Sequence, residues 1–463
     1  MLDTSTGTGS APSRLTRHRA SFLLLGAVQV ILIAAITLIT VALPAIQRDL
    51  QLDQAGLVFA TAAYSLSFGG LLLLGGRLAD LFGHRRVFII GVALFALASA
   101  TAGLSATLWA LVAARFLQGT GAALAAPAAI ALLGSVFPDA TRRTRALATW
   151  GVLASLGASL GNILSGVILN WVSWRWLFLG PALLAAAVAA VAPRALPAGP
   201  VPVRVRIDLL GALLATAGLS TLIYGLSELE LAWILTGAAL LGGFAIAQAR
   251  SPKPLVPLAF LASRERAAAL LAICLMAAAM TAAYFILALY LQQIRDYTPL
   301  QTSAVFIPPA LAILLAAPMA ARVLRWVEPP VVTAGGLAIA ALGLLLLTGL
   351  RDTTAYLGPI LAGTLLFPLG AGIAFSCATV TAVSNTRPDQ AGLAGAVMNT
   401  AMEIGPPLGL ATLIPLATYS AATLHNSQPA AAIAQGYGTA FGAAAIALVL
   451  SAAITLTAGR TKE

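Results

Sequence analysis

Long apolar runs separated by short polar breaks fill the chain from residue 20 onward. A helix needs about 20 mainly apolar residues to cross a bilayer, and its backbone groups must be satisfied within the segment. No stretch alternates apolar and polar positions as a membrane β-strand does. The pattern predicts an all-α polytopic membrane protein with fourteen spanning helices, at residues 20–44, 57–77, 87–106, 108–136, 146–170, 174–193, 208–228, 231–249, 267–293, 302–322, 331–350, 355–384, 392–418 and 436–458.

Composition agrees with this prediction. Of the 463 residues, 60% are hydrophobic and 9% are charged, and the mean hydropathy of +0.95 lies far above that of soluble domains. Basic residues precede the first run, as in a signal peptide, but the run is too long for the apolar region of one. We interpret it as a retained span that follows a cytoplasmic tail, residues 1–19, whose first part to about Ser13 is predicted to be disordered.

The distribution of basic residues predicts the orientation. If the N-terminus is cytoplasmic, 21 of the 26 Lys and Arg residues fall in inside segments, as the positive-inside rule requires. An odd number of spans would break this alternation. Fourteen spans with both termini cytoplasmic are therefore expected, and the net charge of +11 reflects topology rather than nucleic-acid binding.

Two Pro- and Arg-bearing stretches, 193–206 and 249–266, divide the spans into groups of six, two and six. The predicted units are an N-terminal six-helix half at 20–200, two inserted linker helices with flanking loops at 201–260, and a C-terminal six-helix half at 261–463.

The stretch GGRLADLFGHRR (75–86), here called the charged loop, resembles the signature loop G-x-L-A-D-x-x-G-R-[RK] of the major facilitator superfamily. Four more segments resemble that superfamily and its fourteen-helix drug:proton antiporter family: TVALPAIQRDL (40–50), RFLQGTGAALAAPA (115–128), WVSWRWLFLGP (171–181) and GAVMNTAMEIGPPLGLA (395–411). The resemblance implies the major facilitator fold and a transporter, not an enzyme, in the bacterial cytoplasmic membrane. It also implies proton-coupled export of small lipophilic drugs, antibiotics or natural products by alternating access, with a functional monomer, the proton motive force as energy source, and no metal or other cofactor.

The resemblance further implies that the charged loop is a latch, which holds the two halves together on the cytoplasmic side in one transport state. Glycines allow helix ends to approach closely, and the aspartate can accept hydrogen bonds from amides or arginines. The alternative is that the arginines only set topology, which would not require the glycine and aspartate spacing. The predicted latch residues are Gly76, Arg77, Asp80, Gly83, Arg85 and Arg86.

An ionisable residue at membrane depth is a functional candidate by default. Glu403 lies near the middle of the thirteenth predicted span, and the other acids lie in loops, tails or near span ends. Burial favours the neutral form of a carboxyl group, which can then load and release a proton. Pro406 and Pro407 are expected to break or kink the helix beside it. Glu403 is the predicted proton carrier; the alternative is a structural glutamate.

Arg115 lies about 10 Å into the fourth span, at 1.5 Å per residue, with Gln118 one turn away on the same face. The superfamily motif implies a role for Arg115 in proton coupling. The alternative is a structural arginine bonded to neighbouring carbonyls.

Two positions depart from the family pattern. The first-helix pattern D-x-T-I-V-N-V-A-L-P places Ala35 where many drug antiporters have an aspartate, which favours neutral or anionic substrates over cations. The fifth-span signature G-P-x-x-G-G reads GNILSG (161–166), which weakens the inference of export and offers Asn162 as a hydrogen-bonding group.

Mixed aromatic and polar faces suit amphipathic ligands. The predicted cavity residues, each of which could equally be ordinary helix packing, are Gln29, Thr37, Tyr64, Gln118, Asn162, Tyr284, Phe285 and Asn399.

Three other readings stay open at this point. The missing first-helix acid also fits a lipid or lysolipid transporter, and a structural Glu403 would fit a proton-independent facilitator. A membrane enzyme or receptor is disfavoured by the three histidines and the absence of a metal-spaced cluster. The sequence does not identify the substrate. The expected partners are a small lipophilic compound, protons and membrane lipids.

Overall fold

The computed structural model describes residues 14–137, 139, 146, 153, 157, 160–197, 208–251, 254, 258–351, 354, 356–384, 391–423 and 429–459. Three predictions therefore lie wholly or largely outside the described residues. They are the disordered stretch before residue 14, the 193–206 linker from residue 198 onward, and the first part of the fifth span.

Helices account for nearly all of the described chain. They are α1 (Arg14–Leu50), α2 (Gln54–Phe82), α3 (His84–Gly103), α4 (Leu108–Val136), α5 (Leu160–Trp171, its described part), α6 (Trp176–Ala195), α7 (Leu209–Glu228), α8 (Leu231–Arg250), α9 (Arg264–Leu289), α10 (Ile307–Val323), α11 (Pro329–Leu346), α12 (Leu361–Val383), α13 (Ala391–Ala422) and α14 (Pro429–Gly459). Short helices at Leu258–Leu261 and Pro299–Val305 precede α9 and α10, and π-helical turns at Tyr290–Ile294 and Tyr356–Ile360 follow α9 and precede α12.

Each predicted apolar run overlaps one of these helices, so the all-helical polytopic architecture is confirmed. Within the described residues, twelve helices are long and apolar enough to cross a membrane. The other two runs correspond to α5, of which twelve residues are described, and to α13, which has 32 residues. The count of fourteen spans and the orientation of the termini stay predictions. The first helix begins at Arg14, inside the segment that we expected to be tail.

Polar caps set several of the helix starts. The side chain of Asp53 accepts a hydrogen bond from the Gly56 amide at the start of α2, at 2.7 Å, and Thr107 and Ser263 cap α4 and α9 in the same way. Such caps satisfy amides that have no partner within the helix. Gly83 separates α2 from α3 with φ of 93°. Because glycine adopts this backbone conformation at little cost, it makes the tight turn of the charged loop.

Paired glycines bring the same two helices together in each half of the chain. Where α3 crosses α4, a Cβ on either Gly91 or Gly121 would lie 2.7 Å from the carbonyl oxygen of the other. Where α11 crosses α12, a Cβ on Gly336 would lie 2.8 Å from the Gly370 carbonyl oxygen. Small residues permit such close crossings between membrane helices.

Helices α1–α6 form one group, the N-half, and helices α9–α14 form another, the C-half. The two halves meet where α2 packs against α13 and α1 packs against α9. The hairpin α7–α8 contacts both sides of the α2–α13 contact through α7, whereas only 11% of the α8 span is buried. A cluster of Leu66, Leu219, Ile223 and Ala411 fills the junction of α2, α7 and α13.

Candidate functional site

Glu403 lies buried in the contact between the two halves. Its side chain is 4% exposed, and its Cβ would be 2.6 Å from a Cβ added to Gly69 of α2. The absence of a side chain at Gly69 therefore makes room for Glu403. Among the described residues the two salt bridges join His84 to Asp80 and Arg175 to Asp49, so neither neutralises this carboxylate.

Polar groups on the same face of α13 surround Glu403. Asn399 and Thr400 precede it by four and three residues and are therefore its neighbours on the helix surface. The Thr400 hydroxyl is buried without a hydrogen-bond partner. Pro407, four residues later, has no N–H to donate to the Glu403 carbonyl oxygen. Near the middle of α13, the carboxyl group of Glu403 therefore lies close in sequence to an unsatisfied Thr400 hydroxyl and to a proline that cannot complete the usual helical hydrogen bond.

The expected break of the helix next to Glu403 is absent. Helix α13 runs without interruption from Ala391 to Ala422 through Pro406 and Pro407. Packing explains its continuity: Gly405 and Gly409 seat α13 closely against backbone atoms of α9. Non-helical backbone occurs instead in the π-helical turn before α12, where Leu357 and Gly358 have non-helical φ and ψ.

Arg115 of α4 is buried in the N-half and 1% exposed. Its guanidinium donates hydrogen bonds to the carbonyl oxygens of Ala35 at 3.1 Å and Ala60 at 3.3 Å, and to Oε1 of Gln118 at 2.9 Å. The bonds to Ala35 and Ala60 are those expected if Arg115 is a structural residue bonded to neighbouring carbonyl groups. These hydrogen bonds do not neutralise the positive charge of Arg115, because their acceptors are uncharged. The neighbouring position on α1 is Ala35, which has no carboxylate.

Helix α2 contacts both Arg115 and Glu403. The Arg115 Cζ lies 4.7 Å from the centroid of the Tyr64 ring, and the Tyr64 hydroxyl donates to the Leu32 carbonyl oxygen at 3.0 Å. Gly69, five residues after Tyr64 on the same helix, is the residue against which Glu403 packs. Arg115 and Glu403, from opposite halves of the molecule, therefore pack against one helix.

Gln118 extends the arginine network to a third helix, because its Nε2 donates to Oγ of Ser99 at 2.7 Å. Gln118 and Ser99 are both buried. Within the described residues no group of three or more His, Cys, Asp or Glu side chains could hold a metal ion.

Three hydrogen bonds of the described residues join the halves, all near the ends that the charge pattern places outside. Gln292 Nε2 donates to the Val41 carbonyl oxygen at 3.0 Å. Gln293 donates to Gln47 at 2.9 Å. The Ser303 hydroxyl donates to the Asn162 carbonyl oxygen at 2.8 Å. These three hydrogen bonds are here called the outer seal.

The GNILSG segment of α5 carries two unsatisfied polar side chains beside this seal. The Asn162 Oδ1 and the Ser165 hydroxyl are buried and have no hydrogen-bond partner. Gly161 brings α5 onto Thr37 of α1, and Gly166 brings it onto Ser303. The segment thus combines close helix contacts with two free polar atoms.

The remaining predicted cavity residues are spread over several helices. Gln29 and Thr37 of α1 are half-buried. Tyr284 packs its ring 5.3 Å from that of Phe306, and its neighbour Phe285 is fully buried in a hydrophobic cluster that contains residues of both halves. That the eight predicted residues line one cavity stays a prediction.

The charged loop makes its described contacts within the N-half. Asp80 lies 3.1 Å from Nε2 of His84, and Arg85 donates to the Leu196 carbonyl oxygen at the end of α6 at 3.3 Å. Neither contact reaches the C-half. Of the other predicted latch residues, Gly83 forms the turn itself, Gly76 and Arg77 lie in the last two turns of α2, and Arg86 lies in the first turn of α3.

Four residues of the site escaped the sequence reasoning: Gly69, Ser99, Thr400 and Ser165. The Gly69–Gly70 pair in the middle of an apolar span was an available signal for close helix approach. Thr400 was available as a neighbour of Glu403 at helical spacing. No local pattern marks Ser99 or Ser165.

Comparison with known proteins identifies the family. A family model described as Major Facilitator Superfamily matches residues 25–410. The puromycin resistance protein pur8 of Streptomyces alboniger is 36% identical over 92% of this chain and 88% of its own length. The cephamycin export protein CmcT of Amycolatopsis lactamdurans is 37% identical over 90% and 88%, and the lincomycin resistance protein of Streptomyces lincolnensis is 33% identical over 84% and 82%.

Solved transporter structures share the fold. A bacterial homologue of the human lysosomal transporter Spinster, inward-facing and occupied, matches with a TM-score of 0.69 at 14% identity over 98% of both chains. The POT family transporter PepTSo matches with a TM-score of 0.71 at 15% identity over 95% of this chain and 98% of that one. The chain therefore belongs to the major facilitator superfamily and is a multi-pass transporter, not an enzyme, of the bacterial cytoplasmic membrane.

Proposed function

We propose that this transporter exports a small lipophilic compound, such as an antibiotic or a natural product, in exchange for protons. The observation that carries the proposal is the burial of Glu403 in the contact between α2 and α13, with no salt-bridge partner among the described residues. Three relatives that are at least 33% identical bear names of antibiotic resistance or export, which supports the substrate class and the direction.

Glu403 is the proposed proton carrier. An uncompensated carboxylate at this depth is costly, which favours the protonated form while the α2–α13 contact is closed. Separation of α2 from α13 would admit water and allow the proton to leave. Since the two helices belong to opposite halves, proton release and the change of access then depend on one movement.

Arg115 is the proposed modulator of that carrier. Its positive charge has no carboxylate partner among the described residues and lies against Tyr64 of α2, the helix that also contacts Glu403 through Gly69. When Glu403 loses its proton, attraction between the two charges stabilises the carboxylate. The arginine also favours neutral or anionic substrates, because a lipophilic cation would meet an uncompensated positive charge.

The proposed transport cycle is alternating access by rocking of the N-half against the C-half, in a 6+2+6 arrangement of fourteen helices with cytoplasmic termini. The hydrogen bonds of Gln292, Gln293 and Ser303 to the N-half form the outer seal of this state. The charged loop is the proposed cytoplasmic latch of the opposite state. Its residues make no described contact with the C-half here, which fits a latch that is open while the outside is closed.

The unsatisfied Asn162 and Ser165 side chains are the proposed polar contacts for substrate, together with Thr37 across the same helix crossing. A buried polar group without a partner is unfavourable. A ligand that donates a hydrogen bond to Asn162 Oδ1 would remove this unfavourable burial. Gln29, Tyr284 and Asn399 remain proposed cavity residues.

Proteoliposomes with a trapped pH dye test the function. Neutral, anionic and cationic lipophiles are added to wild type, Glu403→Gln and Glu230→Gln, which removes an exposed acid at the turn between α7 and α8. Proton flux driven by neutral or anionic compounds, retained in Glu230→Gln and lost in Glu403→Gln, is the expected result. Substrate movement without protons in all three proteins would contradict coupling and leave a facilitator or a lipid transporter.

A further inference from the structure

An apolar groove opens on the lipid-facing side of the N-half, away from the contact between the halves. It has a volume of about 660 Å³, within the 300–1,000 Å³ range typical of ligand pockets. Its walls come from α1, α6 and Leu153. The lining residues are all apolar: Phe22, Leu23, Leu24, Gly26, Ala27, Val30, Ile31, Leu153, Leu184, Ala187, Val188 and Val191.

The groove is open to the hydrocarbon and closed at its floor. Leu23, Leu184 and Val191 remain 70%, 59% and 53% exposed. A Cβ on Gly26 would lie 2.8 Å from Cδ1 of Leu153, so Gly26 and Leu153 pack closely at the floor of the groove. An extended apolar chain would lie along this groove, covered on one side by the protein.

Arginine continues each of the two main walls at the cytoplasmic end. On α1, Arg19 precedes Phe22 and Leu23 by three and four residues, which places the three on one helix face. On α6, Arg194 follows Val191 by three residues and lies on that face in the same way. Both arginine side chains are exposed.

Two hydrogen bonds bring a third arginine to the same corner. The Ser21 hydroxyl, two residues beyond Arg19, donates to the Ala195 carbonyl oxygen at 2.7 Å. Arg85 donates to the next carbonyl oxygen, that of Leu196, at 3.3 Å. The start of α1, the end of α6 and the charged loop therefore converge. Neither of the two salt bridges of the described residues involves these arginines.

We propose that the groove is a binding site for an anionic phospholipid of the cytoplasmic leaflet. One acyl chain lies between α1 and α6, and the phosphate group contacts Arg19 and Arg194, with Arg85 beside them. The argument is charge complementarity: the apolar walls accept a chain of any lipid, but guanidinium groups without carboxylate partners select a negative headgroup. Arg85 joins this site to the charged loop, so the lipid contacts the proposed latch from its outer side.

Native mass spectrometry of the purified protein tests the site. Delipidated protein is titrated with dioleoyl phosphatidylglycerol and, separately, with dioleoyl phosphatidylcholine, which has the same chains. The variants are Arg19→Gln/Arg194→Gln and Ala187→Trp, which fills the groove. The matched control is Arg322→Gln/Arg325→Gln, which removes two exposed arginines at the end of α10. Thermal unfolding verifies that each variant is folded.

Wild type is expected to bind one phosphatidylglycerol in preference to phosphatidylcholine. The Arg19/Arg194 variant should lose roughly 10- to 30-fold of this affinity, the scale of two basic side chains at a membrane surface, and the control pair should lose little. Ala187→Trp should abolish the bound lipid although all arginines remain. Equal binding of the two lipids, equal losses in the two arginine pairs, or unchanged binding in Ala187→Trp would each overturn the proposal.

Discussion

Glu403 of α13 packs directly against Gly69 of α2. A Cβ at Gly69 would lie only 2.6 Å from the Cβ of Glu403. The two residues belong to opposite halves, so their contact exists only while α2 and α13 are together. This relationship places a buried carboxyl group at a contact that would have to open in the alternating access proposed above.

Gly69→Ala should weaken the contact between the halves. The added methyl group meets Glu403 and its backbone, at 2.6 and 3.2 Å, and overpacking of this kind typically costs about 1–3 kcal/mol. Thermal unfolding in detergent should show a lower midpoint, and transport should fall. Gly134→Ala on α4 is the control, because a Cβ there has no neighbour within 4 Å. Equal midpoints for the two variants would contradict the close contact.

Ala35→Asp should change the preferred charge of the substrate. Arg115 bonds to the Ala35 carbonyl oxygen, so an acid at this position lies beside an arginine that now has no carboxylate partner. Pairing of the two charges should raise transport of lipophilic cations relative to anions. Competition between a cationic and an anionic compound measures the shift, and Ala35→Asn controls for side-chain size. The same ratio in Ala35→Asp and Ala35→Asn would count against this role of Arg115.

Loss of the outer seal should expose the fifth helix to the outside. Gln292→Leu removes the hydrogen bond to Val41, worth about 1 kcal/mol, and should increase the population of the outward-open state about fivefold. The measurement is the rate at which an impermeant maleimide labels a cysteine at Asn162 from outside. Gln435→Leu, at an exposed position of α14, should leave that rate unchanged. No increase in Gln292→Leu would contradict the seal.

Asp80→Asn should slow transport without weakening substrate binding. If the charged loop latches the cytoplasmic side in the outward-open state, removal of the charge destabilises that state, and loss of a charge-assisted bond of 1.5–3 kcal/mol lowers turnover by about tenfold or more. Turnover and equilibrium binding are measured on the same preparation. Glu328→Gln, before α11, is the control. Parallel losses of binding and turnover would indicate a structural role for Asp80.

Asn162→Leu should weaken substrate binding without lowering the thermal stability of the protein. Its Oδ1 already lacks a partner, so replacement by an apolar side chain of similar size removes an unfavourable burial and should leave the thermal midpoint unchanged or higher. The KM for transport should rise several-fold. An unchanged KM would show that Asn162 only mediates helix packing.

The sequence determined the fold more completely than the site. Hydropathy located each of the long helices α1–α14 because lipid requires continuous apolar helices, but it did not predict the short helices and π-helical turns beside α9, α10 and α12. Glu403 and Arg115 were recognisable because charge at membrane depth is rare. Their shared contact with α2 was not, since no local pattern shows which helices from the two halves meet.

The prolines of α13 illustrate why other features of the site could not be predicted from the sequence. Pro406 and Pro407 favour a break by local rules, yet α13 is continuous. Its close packing on α9 through Gly405 and Gly409 depends on residues far away in the chain. Tertiary contacts decided the outcome, and they are not visible in a single segment.

The most direct test of the central claim compares uphill transport with exchange in Glu403→Gln. Everted vesicles receive an imposed pH gradient, and substrate accumulation is followed beside substrate counterflow without a gradient. If Glu403 carries the proton, the variant should keep counterflow, which needs only alternating access. It should lose substrate accumulation driven by the pH gradient. Accumulation at the wild-type level in Glu403→Gln would show that the proton is carried elsewhere or not at all.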